Sequence, residues 1–291
     1  MKRRFAAMGM FVVVLLLGSC GAAQAQWSLL APGKREAPPG LNRYAMLVLA
    51  NPVPGLEQEF NEWYTSTHMG DLLQFPGWMG AQRFRIVSSL NPRATRAGYQ
   101  HGYLIVWDQE GTGHAVPQKF ASDAIAGGKS RLGAGYDYIG GIGGGGTFQV
   151  IGPRMTRPDG KGPFLPDVAD VHTPRPNRYI VMDFANPSAG KDAEFDGAMN
   201  QRITDVLALP GWMAAQRYRL APPPYRADRP NKPKYLTIWE TEGRDVNALQ
   251  AALNEAVKAG RVKALAIDEA TWEFTYWTPI TPYITKEDFI R

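Results

Sequence analysis

The sequence contains one pattern twice, and this repeat constrains the fold more than any other feature. Three segments recur in the same order and at nearly the same spacing. They are Asn42–Pro52 and Asn177–Pro187, Pro76–Arg85 and Pro210–Arg219, and Tyr103–Trp107 and Tyr235–Trp239. The period of about 134 residues is far longer than the roughly 20 to 50 residues of solenoid repeats, so each copy is predicted to be a folding module.

Each copy has the residue pattern of a β-α-β-β-α-β unit. Strand-like segments and segments with apolar residues at helical spacing follow one another in this order. The predicted strands are 43–51, 78–88, 102–108, 147–151 and Thr271–Trp277, and the predicted helices are 55–70, 118–125 and Asp245–Lys258, the last capped by Asp245. This order is that of the ferredoxin-like split β-α-β module.

The predicted fold class is therefore α+β, with two ferredoxin-like modules in one chain. A sheet with both helices on one side leaves its other face uncovered, and the second copy is the nearest surface that could cover it. Two such sheets closing on each other would give an intramolecular pseudo-dimeric α+β barrel with a central cavity. The predicted modules are 42–155 and 177–291, joined by a Pro-rich linker at 156–176.

The first residues predict export. Lys2, Arg3 and Arg4 precede the apolar stretch Phe5–Leu17, which is shorter than the roughly 20 residues of a membrane-spanning helix. Residues 1–25 are therefore predicted to be a signal peptide, followed by an irregular leader at 26–41. Removing the signal takes away three positive charges and lowers the formal net charge from +5 to +2, which leaves no support for a nucleic-acid partner.

Two cleavage sites compete in this signal. Ala23–Ala25 (AQA) fits the ordinary signal peptidase, whereas Leu17–Cys20 (LGSC) resembles a lipobox, in which the signal ends at residue 19 and the cysteine is acylated. The predicted location is therefore the periplasm, or the outer membrane through a lipid anchor at Cys20. Because the sequence has one cysteine, no disulfide is expected.

Strand alternation predicts which side chains line the central cavity. The uniformly apolar sides of the first strands (Ala45, Leu47, Leu49, Ile180, Met182 and Phe184) are predicted to face the helices. The opposite side is rich in aromatic residues, which suit a small aromatic or hydrophobic ligand. The predicted ligand-binding residues are Tyr44, Tyr103, Trp107, Tyr179, Tyr235, Trp239, Glu273 and Arg83. For Arg83 the alternative is a solvent-facing position on an edge strand.

Asp183 is the first candidate for catalysis. Its counterpart in the first copy is Val48, so the fold does not demand a carboxylate at this position. A carboxyl group in an apolar strand has a raised pKa, which suits a general acid or base. The alternative is a salt bridge to an arginine of the neighbouring strand.

His68 is the second candidate. One helical turn joins it to Tyr64, and Asp71 follows three residues later. An imidazole beside a phenol and a carboxylate can transfer protons near neutral pH. The second copy is one residue shorter in this helix and has Arg202 in place of the histidine, so this constellation occurs once. The alternative is a surface histidine near a helix end.

The sequence predicts no metal site and no cofactor. The four histidines (His68, His101, His114 and His172) lack metal-ligand spacing. Gly141–Gly146 matches the glycine pattern of nucleotide-binding loops, but the β-like segment Thr147–Ile151 follows it where a helix should start, so a flexible loop is predicted instead.

The motif from Glu59 through Trp63, Tyr64, His68 and Asp71 to the Pro-Gly-Trp at 76–78, together with Ala81–Phe84, resembles the EthD-like proteins of the dimeric α+β barrel superfamily. The resemblance implies the fold more than a reaction, because relatives include cofactor-independent monooxygenases, polyketide cyclases and dehydratases, lactone isomerases and haem-handling enzymes. It also implies proton transfer by His68. The export signal and Arg202 depart from the family pattern.

The sequence thus favours an exported small-molecule enzyme with cofactor-independent proton-transfer chemistry of the isomerase, cyclase, dehydratase or lyase type. His68 would be the base, with Tyr64 and Asp183 as its helpers. The alternatives are a non-catalytic extracytoplasmic binding protein for the same kind of ligand, and a haem-binding protein. Dimerisation of the whole chain with a second copy stays open.

Overall fold

A computed structural model of the chain describes residues 39–89, 101–126, 137–158, 177–222 and 233–289. The strands are β1 (Asn42–Pro52), β2 (Trp78–Ser89), β3 (Tyr103–Gly111), β4 (Ile139–Thr156), β5 (Arg178–Ala185), β6 (Trp212–Leu220), β7 (Tyr235–Glu242), β8 (Glu273–Pro279) and β9 (Ile284–Thr285). The α-helices are α1 (Glu57–Trp63), α2 (Met69–Leu73), α3 (Ala115–Ala126), α4 (Asp192–Leu207) and α5 (Val246–Lys258). A π-helical turn (Tyr64–His68) joins α1 to α2, and a 3-10 turn (Lys286–Phe289) follows β9.

The predicted signal peptide and most of the predicted leader and linker lie outside the described residues. Within the described ranges, the predicted elements are present with boundaries shifted by a few residues, except that β4 (Ile139–Thr156) is much longer than the predicted strand 147–151. The predicted cap of α5 is confirmed, because the Asp245 side chain accepts a hydrogen bond from the Asn247 backbone N–H at 2.8 Å. None of the described helices is both long and apolar enough to span a membrane.

Eight strands form a closed antiparallel barrel in the order β1-β4-β6-β7-β5-β8-β2-β3, with β3 paired back to β1. The strands of the first half pair as β4-β1-β3-β2, and those of the second half pair as β8-β5-β7-β6. The barrel closes where β4 pairs with β6 and where β8 pairs with β2. Each half therefore supplies the partner for both sheet edges of the other half, and β9 adds to β2 outside the ring.

The apolar core has three layers. The inner layer combines strand residues from both halves and includes Leu47, Val106, Met182 and Trp277. Each outer layer packs the other face of one half's strands against that half's helices. The inner layer leaves a residual cavity of only about 10 Å³, roughly enough for one water molecule.

The predicted orientation of the strand faces is therefore wrong. The uniformly apolar side of β1 and β5 fills the barrel, and the aromatic side faces the helices. The expected ligand cavity inside the barrel is also wrong, because apolar side chains fill that part of the described barrel. The physical reason is that both faces of each strand are buried, so alternation shows two faces without showing which one lies inside.

The prediction of a loop at Gly141–Gly146 is wrong, because this segment is part of strand β4. Its glycines allow β4 to approach β1 closely across a register shift between Leu47 and Val48. A Cβ atom added at Gly145 would lie 2.5 Å from the Leu47 Cβ and 2.9 Å from the Leu47 carbonyl oxygen. The absence of a side chain thus serves close strand pairing.

We expect Gly145→Ala to lower the free energy of unfolding by about 1–3 kcal/mol, because the new methyl group would push β4 away from β1. Gly141→Ala is the matched control in the same strand, since its nearest neighbour would be a His101 ring carbon at an ordinary 3.9 Å. Urea unfolding of both variants checks the difference, and equal stability of the two would contradict the close-approach argument.

Candidate functional site

The second half has a pocket of about 420 Å³ that lies outside the barrel. Strands β5 and β8 form its floor, and helices α4 and α5 with the segment after α5 form its walls. Its lining is mainly apolar, with a few polar side chains of both charges. The lining residues are Asp183, Ala185, Arg202, Gln250, Leu253, Asn254, Val257, Lys258, Ala264, Leu265, Ile267, Trp272 and Phe274.

Asp183 is the buried acid of this pocket, with 4% of its surface exposed. Each carboxyl oxygen accepts one hydrogen bond from an indole N–H, at 3.3 Å from Trp239 and at 3.1 Å from Trp272. Burial raises the pKa of the Asp183 carboxyl, while the charge of Arg202 and the two indoles oppose that rise. The two tryptophans fix the orientation of the carboxyl group, and the pocket gives it access to a small molecule.

Arg202 projects from α4 into the same pocket. Its Nη1 donates to the Lys263 carbonyl at 2.9 Å. Burial lowers the pKa of the Arg202 guanidinium, and the charges of Asp183 and Asp205 act against that change. Arg202 and Asp183 therefore influence each other electrostatically across the pocket.

Sequence reasoning found Asp183 but did not predict the roles of Arg202, Trp272 and Gln250. The comparison of the two similar sequence segments identified Arg202 only as the residue that replaces His68. In the structure this position is on the α4 wall of the pocket. Trp272 lies just before β8, and its contact with Asp183 joins positions 89 residues apart. No spacing rule reports such a contact.

The predicted ligand-binding aromatics lie in the two outer layers. Tyr44 contacts His114 edge-on, and Tyr103 donates a hydrogen bond to Glu57 and packs on Phe60. Trp107 belongs to the first half's outer layer, while Tyr179, Tyr235 and Trp239 belong to that of the second half. Glu273 is half-buried at the start of β8. Of this predicted set, Trp239 is the residue that contacts Asp183.

Arg83 is buried and holds the first helix against β2. Its guanidinium donates to the Thr65 hydroxyl at 2.6 Å and to the Asn61 side chain at 2.6 Å, and it lies over the Tyr64 ring. Burial lowers the pKa of Arg83 to about 10. The alternative of a solvent-facing arginine on an edge strand is wrong, because Arg83 is 1% exposed and β2 lies within the closed barrel.

His68 ends the π-helical turn of the first half. Its imidazole stacks on Trp63 with ring centres 4.7 Å apart, and it meets Tyr64 edge-on at 4.7 Å and Trp107 at 6.0 Å. The alternative of a surface histidine is wrong, since His68 is 8% exposed. Burial, with a smaller contribution from the charge of Arg83, lowers the pKa of His68 from 6.5 to about 4, so the imidazole is neutral at pH 7.

The π-helical turn accounts for the one-residue length difference between the two copies. The corresponding helix of the second half, α4, is a regular α-helix of 16 residues. An additional residue in the first half is accommodated by widening one turn, and such turns occur frequently at functional sites. The wider turn gives His68 its place between Trp63 and Trp107.

His68 does not line the pocket of Asp183, so the prediction that Asp183 assists His68 as the base is wrong. His68 packs on Trp107 of β3, and Asp183 lies on β5 in the outer layer of the other half. Two strands separate β3 from β5 in one direction around the barrel, and four separate them in the other. The molecule therefore presents two separate candidate sites with different chemistry.

No protein-family model matches the chain, and the comparison with curated proteins gives no significant match. Among solved structures, an anthrone oxidase-like protein has 16% sequence identity and a TM-score of 0.51, with 85% of this chain and 94% of that chain covered. A candidate monooxygenase from Lactobacillus acidophilus NCFM has 9% identity, a TM-score of 0.45 and coverages of 84% and 97%. A mutant chlorite dismutase from Candidatus Nitrospira defluvii has 14% identity, a TM-score of 0.39 and coverages of 84% and 92%.

The likeness to the anthrone oxidase-like protein shows the fold alone, an α+β barrel. The predicted α+β class is thereby confirmed. At this level of identity the likeness carries no information about the reaction.

The buried neutral state of His68 predicts a loss of stability in acid. The unfolded chain binds a proton at His68 near pH 6.5 and the folded chain only near pH 4, so this group's contribution to stability falls as the pH decreases through that interval. Between pH 7 and pH 4.5 we expect the wild type to lose about 2–3 kcal/mol through this residue alone. His68→Gln should remove that part of the loss. Urea unfolding at both pH values checks this, and an identical pH dependence in the variant would contradict it.

Proposed function

We propose that the chain is a small-molecule enzyme in which the pocket of the second half binds an apolar compound and Asp183 transfers a proton to or from it. The observation that carries this proposal is a buried carboxyl group, oriented by two indole N–H donors, on the wall of a pocket of about 420 Å³. Perturbed carboxyl groups in such pockets are typical of general acids and bases.

The raised pKa of Asp183 favours this chemistry because it brings the carboxyl group closer to the working pH of an acid–base catalyst. In the proposed reaction Asp183 removes a proton from a carbon next to a carbonyl group. The electron pair of that C–H bond moves into the carbonyl system to form an enolate. Return of the proton, at the same or a neighbouring carbon, completes exchange or isomerisation without an oxidant or reductant.

The same chemistry by His68 in the first half is the second candidate. It is favoured by the neutral state of the imidazole, because only the neutral ring can accept a proton. The ring also meets the Tyr64 ring edge-on. Because the two candidate bases lie in different outer layers, single substitutions separate them.

The assay is the exchange of acidic C–H protons for deuterium in D₂O, followed by mass spectrometry. The probes are 2-tetralone, an apolar ring ketone, and anthrone, chosen because a structural neighbour is described as anthrone oxidase-like. We expect exchange above the protein-free rate and a decrease of about 100-fold or more in Asp183→Asn. Because the carboxylate form is the base, the rate should rise with pH through the pKa of Asp183, above the usual 3.8.

Asp192→Asn is the matched control, because it changes an exposed carboxylate at the start of α4. His68→Gln should leave exchange unchanged if Asp183 is the base. Loss of exchange in His68→Gln with full exchange in Asp183→Asn would assign the reaction to the first half. Wild-type exchange no faster than buffer with both probes would contradict an enzyme acting on this class of compound.

We also propose that the barrel is an intramolecular pseudo-dimer of two tandem EthD-like modules. Support comes from the equivalent strand pairings of the two halves and from Arg217, which bonds to Asp196 and Asn200 of α4 as Arg83 bonds to Asn61 and Thr65 of the first helix. The sequence motif at Glu59–Trp78 supports the EthD-like assignment.

If the halves are modules, residues 26–158 and 159–291 co-expressed as two chains, both without the predicted signal peptide, should assemble into one particle with the summed mass of the two chains. The reason is that each half alone exposes two sheet edges and one apolar sheet face. Size-exclusion chromatography with light scattering checks this. Two halves that are separately soluble and do not associate would contradict the proposal.

A further inference from the structure

The guanidinium group of Arg202 has unused N–H donors beside the pocket of the second half. A guanidinium group has five N–H donors, and the Lys263 carbonyl accepts from Nη1. Within the described part of the chain, this is the one hydrogen bond that Arg202 makes. The side chain is half-buried and lines the pocket, so its remaining donors adjoin a space that a ligand can enter.

Asp183 does not neutralise Arg202 by direct contact. Both carboxyl oxygens of Asp183 are directed at the indoles of Trp239 and Trp272, and the effect of Arg202 on Asp183 is a longer-range charge interaction. A planar guanidinium with free donors matches a carboxylate in geometry and charge, and it binds such a group through two parallel hydrogen bonds. The cation is thus available to an anionic group from outside the chain.

The rest of the pocket is suited to an apolar body. Helix α5, the segment after it and strand β8 contribute aliphatic and aromatic side chains to one continuous wall. They are Leu253, Val257, Leu265, Ile267, Trp272 and Phe274. A volume of about 420 Å³ is in the range of pockets that enclose a compound of one to three rings.

We propose that this pocket selects apolar carboxylic acids, with the ligand carboxylate bound by Arg202 and its ring system packed against the apolar wall. The proposal names a substrate class for the pocket that the proposed function uses. It rests on the proposed function only because both concern this pocket. In the first half the position of Arg202 is occupied by His68, which is neutral at pH 7, so the selectivity belongs to the second half.

The test compares two probes with the same ring system, 2-naphthoate and 2-naphthylmethanol, by isothermal titration calorimetry on the full chain at pH 7.5. We expect the wild type to bind the acid about ten-fold or more tightly than the alcohol, because only the acid has a charge for Arg202. Arg202→Met should reduce this preference to about two-fold or less, and Arg202→Lys should retain an intermediate preference.

Arg219→Met is the matched control, because it removes the same charge from an exposed position outside the pocket. It should keep the wild-type preference. Equal binding of the two probes by the wild type, tighter binding of the alcohol, or no binding of either probe would overturn the proposal. So would an unchanged preference in both Arg202 variants. Asp183→Asn should lose proton exchange and show an equal or stronger preference for the acid, because a carboxylate that repels the ligand is removed from the pocket. Failure of the proposed function and failure of this inference therefore give different results.

Discussion

The structure depends on the closure of the barrel. Each half has two sheet edges, and unpaired edges expose backbone donors and acceptors. Pairing of β4 with β6 and of β8 with β2 satisfies them from the opposite half, and the same closure buries the apolar faces of all eight strands against one another. Because apolar side chains fill the described interior, the pocket found in the second half lies outside the barrel, between the strands and the helices that cover them.

In each half, a buried arginine of a strand holds the first helix in its outer layer. Arg83 and Arg217 occupy equivalent positions in β2 and β6, and each bonds to the fifth residue of the helix above it, Asn61 or Asp196, and to the residue one turn later. The anchor is alike in the two halves, but the residues about two turns further along the helices differ, with His68 in one and Arg202 in the other. The same anchor thus holds helices that carry different reactive side chains. The wider π-helical turn that ends at His68 further changes the direction of the His68 side chain.

The sequence predicted the strand and helix order, because that order depends on local periodicity, and comparison of the two similar segments singled out Asp183 as a carboxyl group where the other has Val48. It did not predict which strand face lies inside. Tyr103, Trp107 and Trp239 suggested a ligand cavity, yet large aromatic rings equally fill the space between a sheet and its helices. It also did not predict that Trp272 contacts Asp183 or that Arg202 lines the same pocket, since these arrangements join positions distant in the chain and are set by the packing of β8 and α4 beside β5 within the second half.

The energetic cost of Asp183 gives the strongest physical indication of function. Burying a carboxyl group among apolar side chains is unfavourable, and the same burial raises the pKa of Asp183. The first half has Val48 at the equivalent position of β1, so the fold forms with an apolar residue there. Barrel closure, strand pairing and helix packing therefore do not require the carboxylate. Two tryptophans nevertheless hold it in one orientation beside a pocket and an arginine, which is the arrangement expected when a group is kept for its chemistry rather than for stability.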